Sequence, residues 1–288
     1  MFNQIDEFVK WHRRRNPSAR TWRDYTYDLT QFHEFVGSKQ PQEVTVRDVD
    51  GFVNQQSERG MSPKTINRRL TAISSFFVYL SDTDPEIVCP IIPRRHNRKE
   101  KKRLPRPVPL EDVKKFFDTI TSPRDMAMFQ LMLRCGLRIS EVAKLKVAHI
   151  HLNEVRPRMV VTGKNNIERT AYLSIPSQEM VKVVLEDRDS DEEELFLSYQ
   201  GKKMSTTAIH KRLMVYRDLA GVSFTAHQLR HTFATNLVEE DVPLPTIQKL
   251  MGHAWITTTQ GYLLVSDNKV AKDFFDAMTE QEVWSCRR

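Results

Sequence analysis

The amino-acid sequence predicts a mainly α-helical protein of two domains with one small β-sheet. Apolar residues recur at intervals of three and four over about the first 90 residues and again after position 206, which is the period of an amphipathic helix. Two runs rich in β-branched residues flank a turn near the middle of the chain, as in a β-hairpin. A basic, proline-rich segment separates the two halves and is typical of a linker.

Composition favours a globular protein with a polyanionic partner. The 288 residues allow two domains, 40% of them are hydrophobic, and the net charge is +7. No run approaches the roughly 18 apolar residues of a membrane span. The N-terminus lacks the pattern of a signal peptide, so we expect a cytoplasmic protein. Three scattered cysteines imply no disulfide framework, and the usual zinc motifs are absent, so we expect no metal.

Two amphipathic helices are predicted in the first domain, residues 1–92. The first ends at Gly37. Its apolar positions are Trp22, Tyr25, Leu29, Phe32 and Val36. The second begins at Ser62 and Pro63, which suit the N-cap and the first helical position. Its apolar positions are Ile66, Leu70, Ile73, Phe77 and Leu80. Arg68 and Arg69 fall largely off this face, so they contact either phosphates or solvent.

Residues 93–108 are predicted to form an extended basic linker. Prolines and dense like charge disfavour a helix here. The basic residues between positions 94 and 106 are Arg94, Arg95, Arg98, Lys99, Lys101, Lys102, Arg103 and Arg106. Only Glu100 opposes them. A linker that needs only to be solvated can be neutral or acidic, so we expect this one to lie along a nucleic acid.

The second domain, residues 109–288, is predicted to mix helices with a hairpin. Glu111 and Asp112 follow Pro109 and suit the first turn of a helix. The apolar residues 126–133 predict a buried helix. Residues 159–173 predict two strands joined by a turn that contains Gly163 and Lys164.

Six residues of this domain suit phosphoryl transfer without a metal. They are Arg138, Lys164, His227, Arg230, His253 and Tyr262. Arginine binds phosphate through paired donors, histidine moves protons near neutral pH, and tyrosine is a covalent nucleophile once deprotonated. Arg138 precedes a predicted helix, whose N-terminus favours an anion.

Each candidate also has a plainer interpretation when it is taken alone. Arg138 suits a surface salt bridge, and Lys164 suits a solvated turn. Tyr262 suits a packing aromatic whose hydroxyl is hydrogen-bonded. We interpret His231, which lies next to Arg230, as a buried and hydrogen-bonded structural histidine.

Together, the motifs resemble those of the tyrosine recombinase, or phage integrase, family. Residues 133–141, Leu-Arg-Cys-Gly-Leu-Arg-Ile-Ser-Glu, resemble its first motif, and residues 227–235, His-Gln-Leu-Arg-His-Thr-Phe-Ala-Thr, its second. Met251, Gly252 and His253, with the later Tyr262, resemble its third. The N-terminal half resembles the family's helical core-binding domain, and the chain length is similar to that of compact Xer-type members.

The resemblance implies a site-specific recombinase that cuts and rejoins duplex DNA without metal, nucleotide or other cofactor. Tyr262 would attack the scissile phosphate and form a 3′-phosphotyrosyl intermediate, on the way to a Holliday junction. Arg138 and Arg230 would hold that phosphate. Lys164 would protonate the departing 5′ oxygen.

Three further roles follow from the same resemblance. His227 would act as the acid or base paired with the nucleophile, and His253 would hydrogen-bond the phosphate. Glu141 would orient the site through a salt bridge or hydrogen bond.

The implied architecture is a C-shaped clamp on DNA, built from the helical core-binding domain and the mixed α+β catalytic domain. The implied assembly is a homotetramer of two dimers on paired DNA sites, with or without a second recombinase or accessory protein. The amphipathic tail, residues 268–278, packs on its own domain or docks into a neighbour as an exchange helix. The candidate DNA contacts are Arg68, Arg69, Arg94, Arg95, Arg98, Lys99, Lys101, Lys102 and Arg103.

The sequence departs from the family pattern at two positions. Met251 replaces the usual leucine at similar volume. Gly261 replaces a larger residue before the nucleophile, and we expect it to let that segment shift.

The two rival functions are a non-catalytic architectural DNA-binding protein and a relaxing topoisomerase. The biological task, whether resolving dimers or cointegrates or moving a mobile element, stays open, although the small size favours simple-site resolution.

Overall fold

A computed structural model describes residues 1–15, 17, 21–100, 106–163 and 167–252. The chain divides into two compact units, Met1–Lys102 and Arg103–Arg288, so the boundary falls inside residues 93–108. Within the described ranges, no helix is both long enough and apolar enough to cross a bilayer. The prediction of a mainly helical protein with a small sheet is confirmed.

The described part of the first unit is helical. Its helices are α1 (Phe2–Arg15), α2 (Thr21–Val36), α3 (Val46–Glu58), α4 (Pro63–Ser81) and α5 (Pro93–His96). The predicted start of α4 is confirmed, because the Ser62 hydroxyl accepts a hydrogen bond from the backbone N–H of Thr65 at 3.2 Å. Gly37 follows α2 with φ +68°, the left-handed conformation that ends a helix.

Every predicted apolar position of α4 is buried, but one polar prediction for this helix is wrong. Arg69 was expected to lie off the buried face, and it is only 4% exposed. Its guanidinium donates to Gln56 and lies 3.6 Å from the carboxylate of Asp28, which is fully buried on α2. A buried carboxylate requires a cationic or hydrogen-bonding partner, so Arg69 is drawn into the interior.

The first part of the predicted linker is not extended. Residues 93–96 form α5, and Pro93 occupies a first-turn position where its missing N–H costs nothing. The Arg95 guanidinium pairs with Asp50 of α3 at 2.5 Å. The imidazole of buried His96 accepts from the Ile92 N–H at 2.9 Å. These partners lie more than 40 residues away or in the preceding turn, and they fix the segment on the first unit.

The second unit surrounds one buried helix with other helices and a sheet. Its elements are α6 (Leu110–Asp118), α7 (Pro123–Arg134), α8 (Ile139–Ala143), β1 (Ile150–His151), β2 (Arg158–Thr162), β3 (Glu168–Tyr172), α9 (Ile175–Glu186), α10 (Thr206–Ala220), α11 (Ala226–Glu239) and α12 (Leu244–Met251). The predicted helix at 126–133 lies within α7, whose Met128, Phe129 and Leu131 are fully buried. Both α9 and α11 pack against it.

The sheet is antiparallel in the order β1-β2-β3, so the predicted hairpin is confirmed and gains a short third strand. Val161 of β2 is paired with Arg169 of β3. The Gly163 N–H donates to the carbonyl of Ile167 at 2.8 Å across the base of the turn. Arg169 of β3 donates to the Gly136 carbonyl at 3.4 Å, so this strand approaches the loop that follows α7.

Candidate active site

The loop between α7 and α8 fixes the position of Arg138. Gly136 has φ +65°, and a Cβ at this position would lie 2.4 Å from the ring of Phe233 on α11. Glycine is therefore required both by the backbone conformation and by close packing. The chain then reverses so that Arg138 precedes α8, where its backbone N–H donates to Glu141 at 2.8 Å.

Glu141 is the centre of the site. Its side chain is 1% exposed, and its carboxylate accepts from the guanidinium groups of Arg138 and Arg169, each at 2.8 Å. Arg230 lies 3.6 Å from the same carboxylate. Burial alone raises the pKa of Glu141, but the charge and hydrogen bonds of Arg169, together with the other partners, outweigh burial and lower it. The carboxylate is thus held ionised.

Arg230 is a buried cation held by backbone oxygens. It is 1% exposed on α11, a helix capped by Thr225. Its guanidinium donates to the carbonyls of Gly136 and Met251. Nearby Glu141 offsets its charge, since a buried cation without such partners would be costly. Arg230 is therefore oriented before any ligand arrives.

Three arginines converge on the C-terminal end of α12. Arg169 donates to the carbonyl of Leu250 at 2.5 Å, Arg230 to that of Met251, and Arg138 to that of Gly252 at 3.3 Å. The last carbonyls of a helix have no partner within the helix and carry partial negative charge. The guanidinium groups thus already bind oxygen acceptors that lie side by side.

His227 occupies the first turn of α11, three residues before Arg230. Loss of hydration lowers its pKa, and the positive charges of Arg230 and Arg138 lower it further. Its ring lies 4.4 Å from that of His231, edge to face. Burial and these charges therefore favour the neutral imidazole of His227, which is the form that accepts a proton.

His231 was predicted to be buried, and the structure shows it half-buried. Partial burial is the largest cause that lowers its pKa to about 4, followed by the charges of His227 and Arg230. Its position beside the site agrees with a structural role.

Lys164, His253 and Tyr262 lie outside the described residues, as do Gly261 and residues 269–288. The chain positions that lead to the first two are described. A Cβ on Gly163 would lie 3.6 Å from the carboxylate of Glu141, so the turn that carries residue 164 begins at the centre of the site. Gly252 accepts from Arg138 and immediately precedes residue 253.

The candidate DNA contacts of the first unit differ in how far they are free to bind phosphate. Arg94 and Lys99 are exposed. Arg68 is partly exposed and lies 2.6 Å from Asp28, and Arg95 pairs with Asp50.

Arg98 is half-buried and its guanidinium donates to Asn54 at 3.2 Å. The expectation for Arg69 is corrected, because its guanidinium lies in the interior of the unit rather than at the surface. Lys101, Lys102 and Arg103 lie outside the described residues.

Arg169 is a residue of this site that the sequence motifs did not indicate. A signal was present, because side chains alternate along a strand and Arg169 shares a strand face with fully buried Ala171. A charged residue on a buried face needs a specific partner. Here the partner is Glu141, together with two backbone carbonyls.

Comparisons with known proteins show the family. The profile of the phage integrase family matches residues 108–269, and that of the phage integrase N-terminal SAM-like domain matches residues 5–83. Tyrosine recombinase XerC of Alcanivorax borkumensis is 33% identical over 261 residues, covering 86% of this chain and 84% of that protein. Tyrosine recombinase XerA of Pyrococcus furiosus is 32% identical over 269 residues, covering 91% and 89%.

Solved structures share the fold. A lambda integrase dimer bound to a COC′ core site matches with a TM-score of 0.76 and 18% identity, covering 91% of this chain and 94% of that one. This chain therefore belongs to the phage integrase family. It is a tyrosine recombinase with an N-terminal SAM-like domain and a catalytic domain.

Proposed function

We propose that the protein cuts and rejoins duplex DNA at a specific site through a 3′-phosphotyrosyl intermediate and a Holliday junction. The observation that carries this proposal is the convergence of Arg138 and Arg230 on buried Glu141, beside the end of α12. Two fixed guanidinium groups supply the paired donors that the non-bridging oxygens of a phosphodiester need. Membership of the family supports the same chemistry.

The proposed first step moves a phosphoryl group from DNA to protein. His227 accepts the phenolic proton of Tyr262, whose oxygen attacks phosphorus while the bond from phosphorus to the 5′ oxygen breaks. Lys164 gives a proton to that departing oxygen. Arg138 and Arg230 neutralise the charge that grows on the non-bridging oxygens, which is the main contribution an enzyme makes to this chemistry.

Positioning falls to two further residues. Glu141 holds Arg138 and Arg230 in place, and His253 donates a hydrogen bond to the phosphate. The new phosphotyrosyl ester keeps the energy of the broken phosphodiester, so attack by a 5′ hydroxyl of the partner duplex reverses the step without a nucleotide. The lowered pKa of His227, which follows first from partial burial, suits a proton acceptor.

We infer that the working assembly is a homotetramer of two dimers on paired DNA sites. The two units of each protomer would close around the duplex, and the basic residues 94–103 would follow its backbone. Residues 268–278 would dock into a neighbouring protomer, as their apolar spacing at 270, 271, 274, 275 and 278 suits an exchanged helix. The proposed tasks are resolution of dimers or cointegrates, or movement of a mobile element.

The proposal is tested on DNA that the purified protein selects from a random pool. The selected site is prepared as a duplex with a nick beside the cut, so that the released fragment diffuses away and a covalent adduct accumulates. Denaturing gel electrophoresis measures that adduct for the wild type, Tyr262→Phe and Tyr172→Phe. Tyr172 is the matched control, an exposed tyrosine on β3.

We expect an adduct with the wild type and the control, and none with Tyr262→Phe. Absence of an adduct from all three proteins would support the architectural rival instead. Pairs of intact sites then separate the remaining functions: recombinant joints support the recombinase, and relaxation of supercoiled DNA without joints supports the topoisomerase.

A further inference from the structure

The guanidinium of Arg169 joins three segments that carry the site. From β3 it donates to the Glu141 carboxylate at 2.8 Å, to the Leu250 carbonyl at 2.5 Å and to the Gly136 carbonyl at 3.4 Å. The side chain is 10% exposed. One planar group with five donors can hold acceptors in several directions at fixed angles. Arg169 thus links β3 to α8, to the loop before Arg138 and to the end of α12.

The aliphatic part of Arg169 also contacts the residue that ends α12. Gly252 has φ +58°, and a Cβ there would lie 2.5 Å from Cδ and 2.9 Å from Nε of Arg169. Only glycine allows the backbone to approach this closely. The N–H of Gly252 donates to the Lys249 carbonyl at 3.1 Å, which closes the helix at this point. The Gly252 carbonyl, which accepts from Arg138, therefore belongs to a residue that packs directly against Arg169.

We propose that Arg169 is a positioning residue for the recombination reaction: by clamping the end of α12 onto Glu141, it fixes the Glu141 carboxylate and the Gly252 carbonyl, the two acceptors that orient the Arg138 guanidinium. This role rests on the proposed function of Arg138. In this role Arg169 acts through the protein oxygens that it binds, the Glu141 carboxylate and the Leu250 carbonyl, and not through a contact with the phosphate.

Substitutions at position 169 can show whether this role needs the planar guanidinium of arginine or only a positive charge. A lysine at position 169 would keep the charge, but its single ammonium is not a planar fork that can hold Glu141 and the Leu250 carbonyl together. A methionine would keep the aliphatic stem and remove both interactions. We therefore expect Arg169→Lys and Arg169→Met to affect cleavage to a similar extent.

The test is a double-mutant cycle in the nicked-duplex assay, run for both Arg169 variants in the wild-type and the Arg138→Ala background. Arg158→Met on β2 is the matched control, because Arg158 pairs with Glu154, which is partly exposed. The rate of adduct formation, the Kd for DNA and the Tm are measured for each protein. Misplacing a catalytic group by about 1 Å can slow a reaction by about 100-fold.

We expect each Arg169 variant to slow adduct formation about 10- to 100-fold in the wild-type background with an unchanged Kd for DNA. In the Arg138→Ala background we expect a loss under about threefold, since no guanidinium remains at position 138 to be misplaced. Arg158→Met should match the wild type.

Equal losses in both backgrounds, full activity of Arg169→Lys, or failure of both variants to fold would each overturn the positioning role. An adduct that survives Tyr262→Phe would instead overturn the proposed function, and the role of Arg169 with it. The two failures are therefore distinguishable.

Discussion

At the scale of single residues, one carboxylate organises the charges of the site. Glu141 is buried and binds Arg138 and Arg169 directly, with Arg230 slightly farther away. The three arginines leave a surplus of positive charge around one negative charge. That surplus of positive charge favours an anionic ligand and disfavours protonation of neighbouring side chains. The pKa of each of the two histidines beside Arg230 is lowered, first by burial and then by the neighbouring charged groups.

Stability should depend on pH through His231. Its pKa in the folded protein is lowered to about 4 from an ordinary value of 6.5, so between these values the unfolded chain binds a proton that the folded protein does not. Stability should therefore fall as pH decreases from about 6.5 to about 4. We expect His231→Gln to flatten this part of the curve of unfolding free energy against pH, measured by urea denaturation.

The control for this measurement is His210→Gln, which changes an exposed histidine on α10. It should leave the wild-type curve in place. A His231→Gln curve with the same slope as the wild type between pH 6.5 and 4 would contradict the assignment.

At the scale of secondary-structure elements, two left-handed glycines bring the helices of the site together. Gly136 lets the end of α7 approach Phe233 of α11, and Gly252 lets the end of α12 approach Arg169 of β3. In both places glycine is required for two independent reasons, the left-handed backbone conformation and the lack of space for a Cβ. Each close approach brings a carbonyl of the loop within reach of an arginine of the site.

A pair of glycine substitutions separates these two demands. Gly201 has φ +71° and nothing near its Cβ position, so Gly201→Ala should cost only the strain of a left-handed alanine, about 1 kcal/mol. Gly136→Ala adds the clash with the Phe233 ring, and we expect about 2 kcal/mol more. Urea unfolding of both variants measures the difference. Equal losses would mean that the Phe233 ring moves aside freely.

Local pattern predicted most of these elements but not their long-range charge pairs. Helix periodicity located α2, α4 and α7, and the turn residues located the β2-β3 hairpin. It did not predict that Arg69 would turn inward to Asp28 or that Arg95 would fix α5 on Asp50, because neither partner lies nearby in the sequence. The sequence pattern did not indicate Arg169 for the same reason, because its partners Glu141 and Leu250 belong to other elements. The motif residues Arg138, Glu141 and Arg230 were found because their sequence context is distinctive.

At the scale of the whole molecule, net charge of +7 is spread unevenly, and the segment that joins the units is its most basic stretch. The side chains of this stretch differ in their contacts. Arg94, Arg95 and Lys99 are all exposed, but the Arg95 guanidinium is paired with Asp50 within the first unit. Exposed cations without a fixed internal partner are those best suited to exchange counterions for DNA phosphates.

The salt dependence of DNA binding should report this division. If Arg94 and Lys99 each contact a phosphate, Arg94→Ala and Lys99→Ala should each reduce the slope of log K against log salt by about 1. Lys10→Ala is the control, because Lys10 lies on α1 and pairs with Asp6 at 2.7 Å. Fluorescence anisotropy over a range of salt concentrations measures the slopes. Identical slopes for all the proteins would place the phosphate contacts elsewhere.

In the free enzyme, the carbonyls at the end of α12 occupy the guanidinium groups that would bind a phosphate. Arg138 and Arg230 donate to the Gly252 and Met251 carbonyls, so a phosphodiester would have to displace these acceptors. Hydrogen bonds to a charged oxygen are roughly twice as strong as those to a neutral one, and the exchange therefore favours an anion. A neutral isostere at the same place, such as a methylphosphonate, would gain little by the exchange. We therefore expect the site to bind an anionic phosphodiester more tightly than a neutral group of the same shape.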